Sequence, residues 1–209
     1  MSAGDSSAER PPTSGNRNIS GLAPKRIHPA VVWAVALAIV LLGIAIYSRS
    51  VHIMPISDDW VFLAAAKAGP NSIYGFTNNY HYNPVARAVM FVVYQWYGLN
   101  PVPYHIVDIA LFSICVVLVL HLGWKLTNSF TVGALASLLF VLSGREYEAV
   151  IWTLIAIFQT LGLVFYLGGL LFYLHAQGSP STEAGEQRQS RRRWLLVGFY
   201  ACMVLAVFT

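Results

Sequence analysis

Apolar residues gather in five long runs, and of the four polar breaks between them one is far longer than the other three. A helix rises 1.5 Å per residue, so about 20 residues cross a hydrocarbon core about 30 Å thick. On that yardstick the runs predict spans near residues 30–48, 104–124, 127–143, 149–174 and 194–209. The second, YHIVDIALFSICVVLVLHLGWKL, and the fourth, AVIWTLIAIFQTLGLVFYLGGLLFYL, have the length and apolarity of full spans. The third, TNSFTVGALASLLFVLSG, is short, and its Gly and Ala content suits close helix packing. The pattern predicts an all-α integral membrane protein of about five transmembrane helices, with the membrane domain covering residues 29–209.

The long break, residues 49–103, is predicted to be an outer loop with helices of its own. DDWVFLAAAKAGP has Ser57 or Asp58 as an N-cap, acids in its first turn, and Gly69-Pro70 as a stop. PVARAVMFVVYQWYGLNP predicts a second helix, too short for a span. Trp60, Tyr94, Trp96 and Tyr97 suit the headgroup level, so both helices are expected to lie along the membrane interface. Ordered loops of this length usually carry function.

Composition strengthens the membrane reading: 56% of the 209 residues are hydrophobic and only 11% charged, outside the range of soluble domains. The net charge of +4 is therefore read through its distribution along the chain. No basic patch interleaved with aromatics appears, and a nucleic-acid partner is not expected. Residues 1–28, rich in Ser, Gly and Pro, predict a disordered tail. The run after it ends in IYSRSVH without a small-residue cleavage site, so it is expected to stay as an anchor. Arg10, Arg17, Lys25, Arg26, Lys125, Arg188 and the triplet at 191–193 fall on one side if five spans alternate. The other side holds Arg49, Lys67, Arg87 and Arg145 against Asp58, Asp59, Asp108, Glu146 and Glu148. Basic flanks are retained inside, which predicts a multi-pass protein with a cytoplasmic N-terminus.

The outer acids are the first candidates for chemistry. A carboxylate just above the bilayer can take a proton from an acceptor hydroxyl, or bind a divalent cation through hard oxygen ligands. Asp58 and Asp59 point in different directions around a helix start, so at most one faces a given reacting atom; capping the helix is the alternative use of both. The turn SGREYEAVIW holds Arg145, Glu146 and Glu148 close to the same surface, where an Arg can grip a phosphate in forked geometry. His81, in NNYHYNP, belongs to an aromatic and polar stretch suited to a sugar. His105 and Asp108 share a helical face near the outer end of the second span, and His121 and His175 mark the inner boundary. Cys115 and Cys202 sit in separate apolar runs, with no disulfide or metal site expected, and no Cys/His set with zinc spacing or HExxH occurs.

Three stretches resemble the N-terminal half of the GT-C glycosyltransferases, polytopic enzymes that use lipid-phosphate-linked sugars, and most of all their protein O-mannosyltransferase-like and tetratricopeptide-linked branches. ISDDW is similar to the acidic first-loop motif; YGLNPVPYHIVDIAL is similar to the family's fG-x-n-P-x-x-yH-x-x-N; REYEAVIW resembles its h-x-E-A-V-x-W turn. The resemblance implies that Asp58 or Asp59 is the catalytic carboxylate activating the acceptor. It also implies that Arg145 steadies the departing phosphate and that Glu148 supports the site. The chain departs from the pattern at Asp108, where Asn is frequent, at Gly144, where Pro is usual, and at Asn83, where an Arg is common. Arg87, one helical turn on, is a candidate substitute for that Arg. The family carries about twice as many spans, so the resemblance implies an N-terminal portion that lacks part of the donor cavity.

The function expected from these readings is transfer of a sugar from a polyprenyl-phosphate-linked donor to a protein or glycan acceptor on the outer face, with membrane lipids as surroundings. The alternative is a non-catalytic polytopic membrane protein, such as a transporter subunit or assembly factor. A transporter would carry ionisable residues or broken helices at mid-membrane, and the first, third and fifth runs have none.

Overall fold

The computed structural model describes residues 28–56, 59–74, 82–143, 153–178 and 185–209, and among these the secondary structure is entirely helical. Helix α1 (Pro29–Tyr47) opens with Pro at its first position, and the His28 side chain accepts from the Ala30 N–H at 3.3 Å. A 3-10 turn, Ser48–His52, and an extended linker lead into α2 (Asp59–Ala68). Gly69, with φ of +111°, ends α2 in a backbone conformation that favours glycine, and a second 3-10 turn, Pro70–Tyr74, follows. Helix α3 (Pro84–Tyr97) also starts on Pro.

Helix α4 (Pro101–Thr127) has the strongest local start signal: Pro101 at the first position, with the Asn100 side chain accepting from the Val102 N–H at 3.1 Å. It ends at Asn128, whose φ of 53° turns the chain directly into α5 (Phe130–Leu142). Helices α6 (Thr153–Gln177) and α7 (Gly185–Val207) complete the described structure. The two helices expected within residues 49–103 are thus present as α2 and α3. Helix α7 begins well before residue 194, so the arginine triplet expected in a loop belongs to the helix itself. Gln, Arg and Ser continue a helix without a Gly or Pro to stop it. Residues 1–27, expected to be a tail, lie outside the described residues.

Among the described residues, three helices are long and apolar enough to cross a membrane: Pro29–His52, Pro101–Thr127 and Ala156–Gln177; Phe130–Leu142 is a shorter apolar helix. Their exteriors carry Trp33 at 71% exposure, Leu37 at 58% and Leu139 at 59%. Continuous apolar exteriors of this kind mark a surface that meets lipid. The chain is a helical, membrane-embedded protein.

Small residues let the helices touch backbone to backbone. A Cβ placed on Gly133 of α5 would lie 2.5 Å from the Leu120 carbonyl oxygen of α4 and 2.8 Å from the Trp124 nitrogen. On the other side, Gly169 of α6 lies under Met203 and Cys202 of α7, and Gly198 of α7 faces the Phe172 ring. Between α1, α4 and α5 an aromatic stack fills the core, with the Phe112 ring 4.8 Å from Tyr47 edge-on and 5.3 Å from Phe140 face-on.

Helix directions alternate, which gives the bundle two distinct ends. The Tyr47 hydroxyl donates to the Val141 carbonyl at 3.4 Å, bringing together the last turns of α1 and α5. The Val85 N–H donates to the Phe208 carbonyl at 3.2 Å, tying the start of α3 to the end of α7. This Tyr47 end therefore collects α2, α3 and the first turns of α4. The opposite end holds Lys125, His175 and the start of α7; there the His121 and His175 rings stack with centroids 5.8 Å apart and planes 2° from parallel.

Candidate functional site

The polar residues of the Tyr47 end are placed by two short amphipathic helices. On α2, Asp59, Leu63 and Ala66 are buried at one-turn spacing while Trp60, Val61 and Lys67 are exposed. On α3 the buried positions are Ala86, Arg87, Met90 and Val93. These faces meet each other and the first turns of α4 and α6 in one apolar cluster, in which Leu63, Ala86, Met90, Tyr104, Ile157 and Phe158 are buried. Gly98 turns α3 into α4 with φ of 59°, and the Tyr104 hydroxyl donates to its carbonyl at 2.8 Å, closing that corner.

Asp59 is wholly buried. Its Oδ2 accepts from the Ile56 N–H at 2.9 Å, and its own N–H donates to the Ile56 carbonyl at 3.0 Å. The carboxylate therefore closes the linker onto the first turn of α2, satisfying the Ile56 N–H ahead of the helix. From the other side, the buried His105 of α4 donates from Nε2 to the Ile53 carbonyl at 3.1 Å. A carbonyl only accepts, so this bond fixes the proton on Nε2. The linker of residues 53–56 is thus pinned at both ends by ionisable side chains.

One turn further along α4, Asp108 is also wholly buried, and its Oδ1 accepts from the Thr160 hydroxyl of α6 at 3.0 Å. The same hydroxyl lies 2.6 Å from the Ala156 carbonyl, and the Cys115 thiol donates to the Thr160 carbonyl at 3.6 Å. A polar strut therefore crosses from α4 to α6 inside the bundle.

Arg87 is 6% exposed and donates from its guanidinium to the Ser72 carbonyl at 2.9 Å. Its charge also sits 6.0 Å from the centre of the Phe62 ring, within cation–π range. Burial pulls its pKa below the ordinary arginine value. Beside it is a small recess lined by Phe62, Ala65, Ala66, Ser72 and Met90.

Of the site residues anticipated from the sequence, Asp59 and Arg87 are described, and both are buried in the α2–α3 unit. Asp58, His81, Arg145, Glu146 and Glu148 lie outside the described residues. So does one half of the acid pair considered for a divalent cation; among the described residues no three His, Cys, Asp or Glu side chains gather around one position. Sequence reading placed His105 and Asp108 on a common face without assigning them partners. It missed Thr160, whose signal is a hydroxyl inside an apolar run, where polar groups are expensive unless paired across helices.

Comparison with family models, with curated proteins and with solved structures gives no match.

Proposed function

We propose that this chain is a membrane-embedded sugar transferase, or part of one, of the GT-C type. It would move a sugar from a polyprenyl-phosphate-linked donor to a protein or glycan acceptor at the Tyr47 end. In this reading α5 and the apolar part of α7 complete five spans, and the N-terminus and the Lys125 end face the cytoplasm, as the excess of Lys and Arg there favours. The observation that carries the reading is the position of Asp59, the second acid of ISDDW. Asp59 lies at the head of a short amphipathic helix that follows the first span and is anchored to α4 and α6.

The burial of Asp59 decides its role. Asp59 is enclosed and engaged with Ile56, which suits positioning. Asp58 is then the candidate base that draws the proton from the acceptor as it attacks the anomeric carbon. Arg145 is the candidate counter-charge for the departing phosphate, and Glu146, Glu148 and His81 are further candidate substrate-binding residues. Arg87 braces the loop between α2 and α3 through Ser72.

A second reading, a non-catalytic polytopic protein, is favoured by one fact: Asp59, His105 and Asp108 are all internal and engaged within the fold. Membranes carrying the protein, supplied with a radiolabelled polyprenyl-phosphate sugar, separate the two. Label passing to a protein or glycan in proportion to the amount of this chain supports the transferase; no transfer above membranes lacking it supports the second reading.

A further inference from the structure

The Lys125 end carries a feature that neither reading uses. Helices α6 and α7 run antiparallel in a definite register, with Gly162 opposite Thr209, Gly169 opposite Cys202 and Met203, and Gly198 opposite Phe172. Continued to Gln177, that register ends α6 beside Arg193 and Trp194, and a groove there is lined by Ala176, Gln177, Arg188, Gln189 and Arg192. The first turns of α7 project beyond α6. A second groove adjoins the first, lined by Gln189, Ser190, Arg193, Trp194 and Val197. Gln189 belongs to both, with Arg192 and Arg193 three and four residues further on, so the three form one patch on the helix surface. The side chains of Arg188, Arg192 and Arg193 are exposed. Lys125 of α4 adds a further cation at this end, its Nζ 4.0 Å from a Cβ built on Gly178. Asp59 and Asp108, the acids whose side chains are described, both lie toward the Tyr47 end.

Depth along α7 gives this patch its meaning. Trp194, 73% exposed, is an interfacial residue by type. At 1.5 Å per residue Arg193 and Arg192 stand about 2–3 Å beyond it and Arg188 about 9 Å, the range of a headgroup layer about 5–8 Å thick. In the other direction, Val197, Tyr200 and Val204 are exposed at 56%, 64% and 54% on the Arg193 side of the helix. A cationic head above an apolar strip matches the two ends of a phospholipid.

We propose that this part of α7 is a binding site for an anionic phospholipid of the leaflet at the Lys125 end. Arg192 and Arg193 hold the phosphate over Gln189, Arg188 and Lys125 supply surrounding positive charge, and an acyl chain lies on Val197, Tyr200 and Val204. The proposal is independent of sugar transfer.

The test is native mass spectrometry of the whole chain, released from nanodiscs of phosphatidylglycerol or of phosphatidylcholine with the same acyl chains. Phosphatidylglycerol is expected to stay bound where phosphatidylcholine leaves. Two surface cations correspond to about 30-fold in affinity, so the Arg192→Gln/Arg193→Gln variant should lose about that much for phosphatidylglycerol and little for phosphatidylcholine. Lys67→Gln, at the other end, should change neither. Raising salt about tenfold should weaken phosphatidylglycerol binding to the wild-type chain alone, which tests the charge requirement without any variant. Equal retention of the two lipids, undiminished phosphatidylglycerol binding by the double variant, or inorganic phosphate bound as tightly as the lipid would each overturn the proposal.

Discussion

His105 reaches across 52 positions of sequence to hold the Ile53 carbonyl at 3.1 Å, from a site with no exposed surface. That bond joins the first long membrane helix's exit to the second one's start, and it gives the linker before α2 a fixed path. Replacing His105 by Phe keeps the bulk and removes the donor, leaving a part-buried carbonyl without it. The expected loss is about 1–3 kcal/mol, read as a lower midpoint of denaturant unfolding in detergent. Protease cleavage between residues 53 and 58 should accelerate as well. An unchanged midpoint would mean that the linker is held by other contacts.

Asp59 and Ile56 exchange two backbone-directed bonds, and the acceptor matters more than the charge. Asp59→Asn retains an oxygen for the Ile56 N–H and should stay near wild-type stability. Asp59→Ala should lose about 0.5–1.5 kcal/mol, the usual net contribution of one hydrogen bond. Thermal unfolding of the two variants side by side distinguishes an acceptor from a buried charge, because a charge requirement would make Asn as harmful as Ala.

The Asp108–Thr160 strut makes a parallel case inside the bundle. Thr160→Val preserves shape and deletes the hydroxyl. Interhelical hydrogen bonds in membranes are worth about 0.6–2 kcal/mol, and Val should lose that amount while Ser restores most of it. Equal unfolding midpoints for Val and Ser would remove the bond from the energetics.

Two glycines give opposite expectations from the same substitution. Gly133→Ala forces a methyl to within 2.5 Å of the Leu120 carbonyl oxygen and must push α5 from α4, at a cost of about 1–3 kcal/mol. Gly168→Ala on α6 meets nothing within 4 Å and should gain about 0.5–1 kcal/mol by stiffening the helix. Thermal midpoints moving in opposite directions confirm the α4–α5 contact; a neutral Gly133→Ala contradicts it.

Local pattern revealed much of this architecture and little of its wiring. Asn100-Pro101 announces the start of α4, Gly69 announces the stop of α2, and the apolar runs predict every long helix, because these signals are read within a few residues. The start of α7 was not legible, since Arg and Gln are as compatible with a helix as with a loop. The site divides the same way. Asp59 stood out as an acid beside an apolar run, and Arg87 only through the family resemblance, as a substitute one turn on from Asn83. Their partners, Ile56 and Ser72, are backbone groups that no side-chain pattern encodes. Thr160 could be joined to Asp108 only once α4 and α6 were side by side.

The most direct test of the proposed chemistry is sugar transfer from a defined polyprenyl-phosphate donor in proteoliposomes, comparing the wild-type protein with Asp58→Asn and Asp59→Asn. General-base catalysis contributes about 10²–10⁴-fold. The expected result is a loss of that size for Asp58→Asn at unchanged thermal stability, with a smaller loss for Asp59→Asn. Transfer by Asp58→Asn at the wild-type rate would contradict the account.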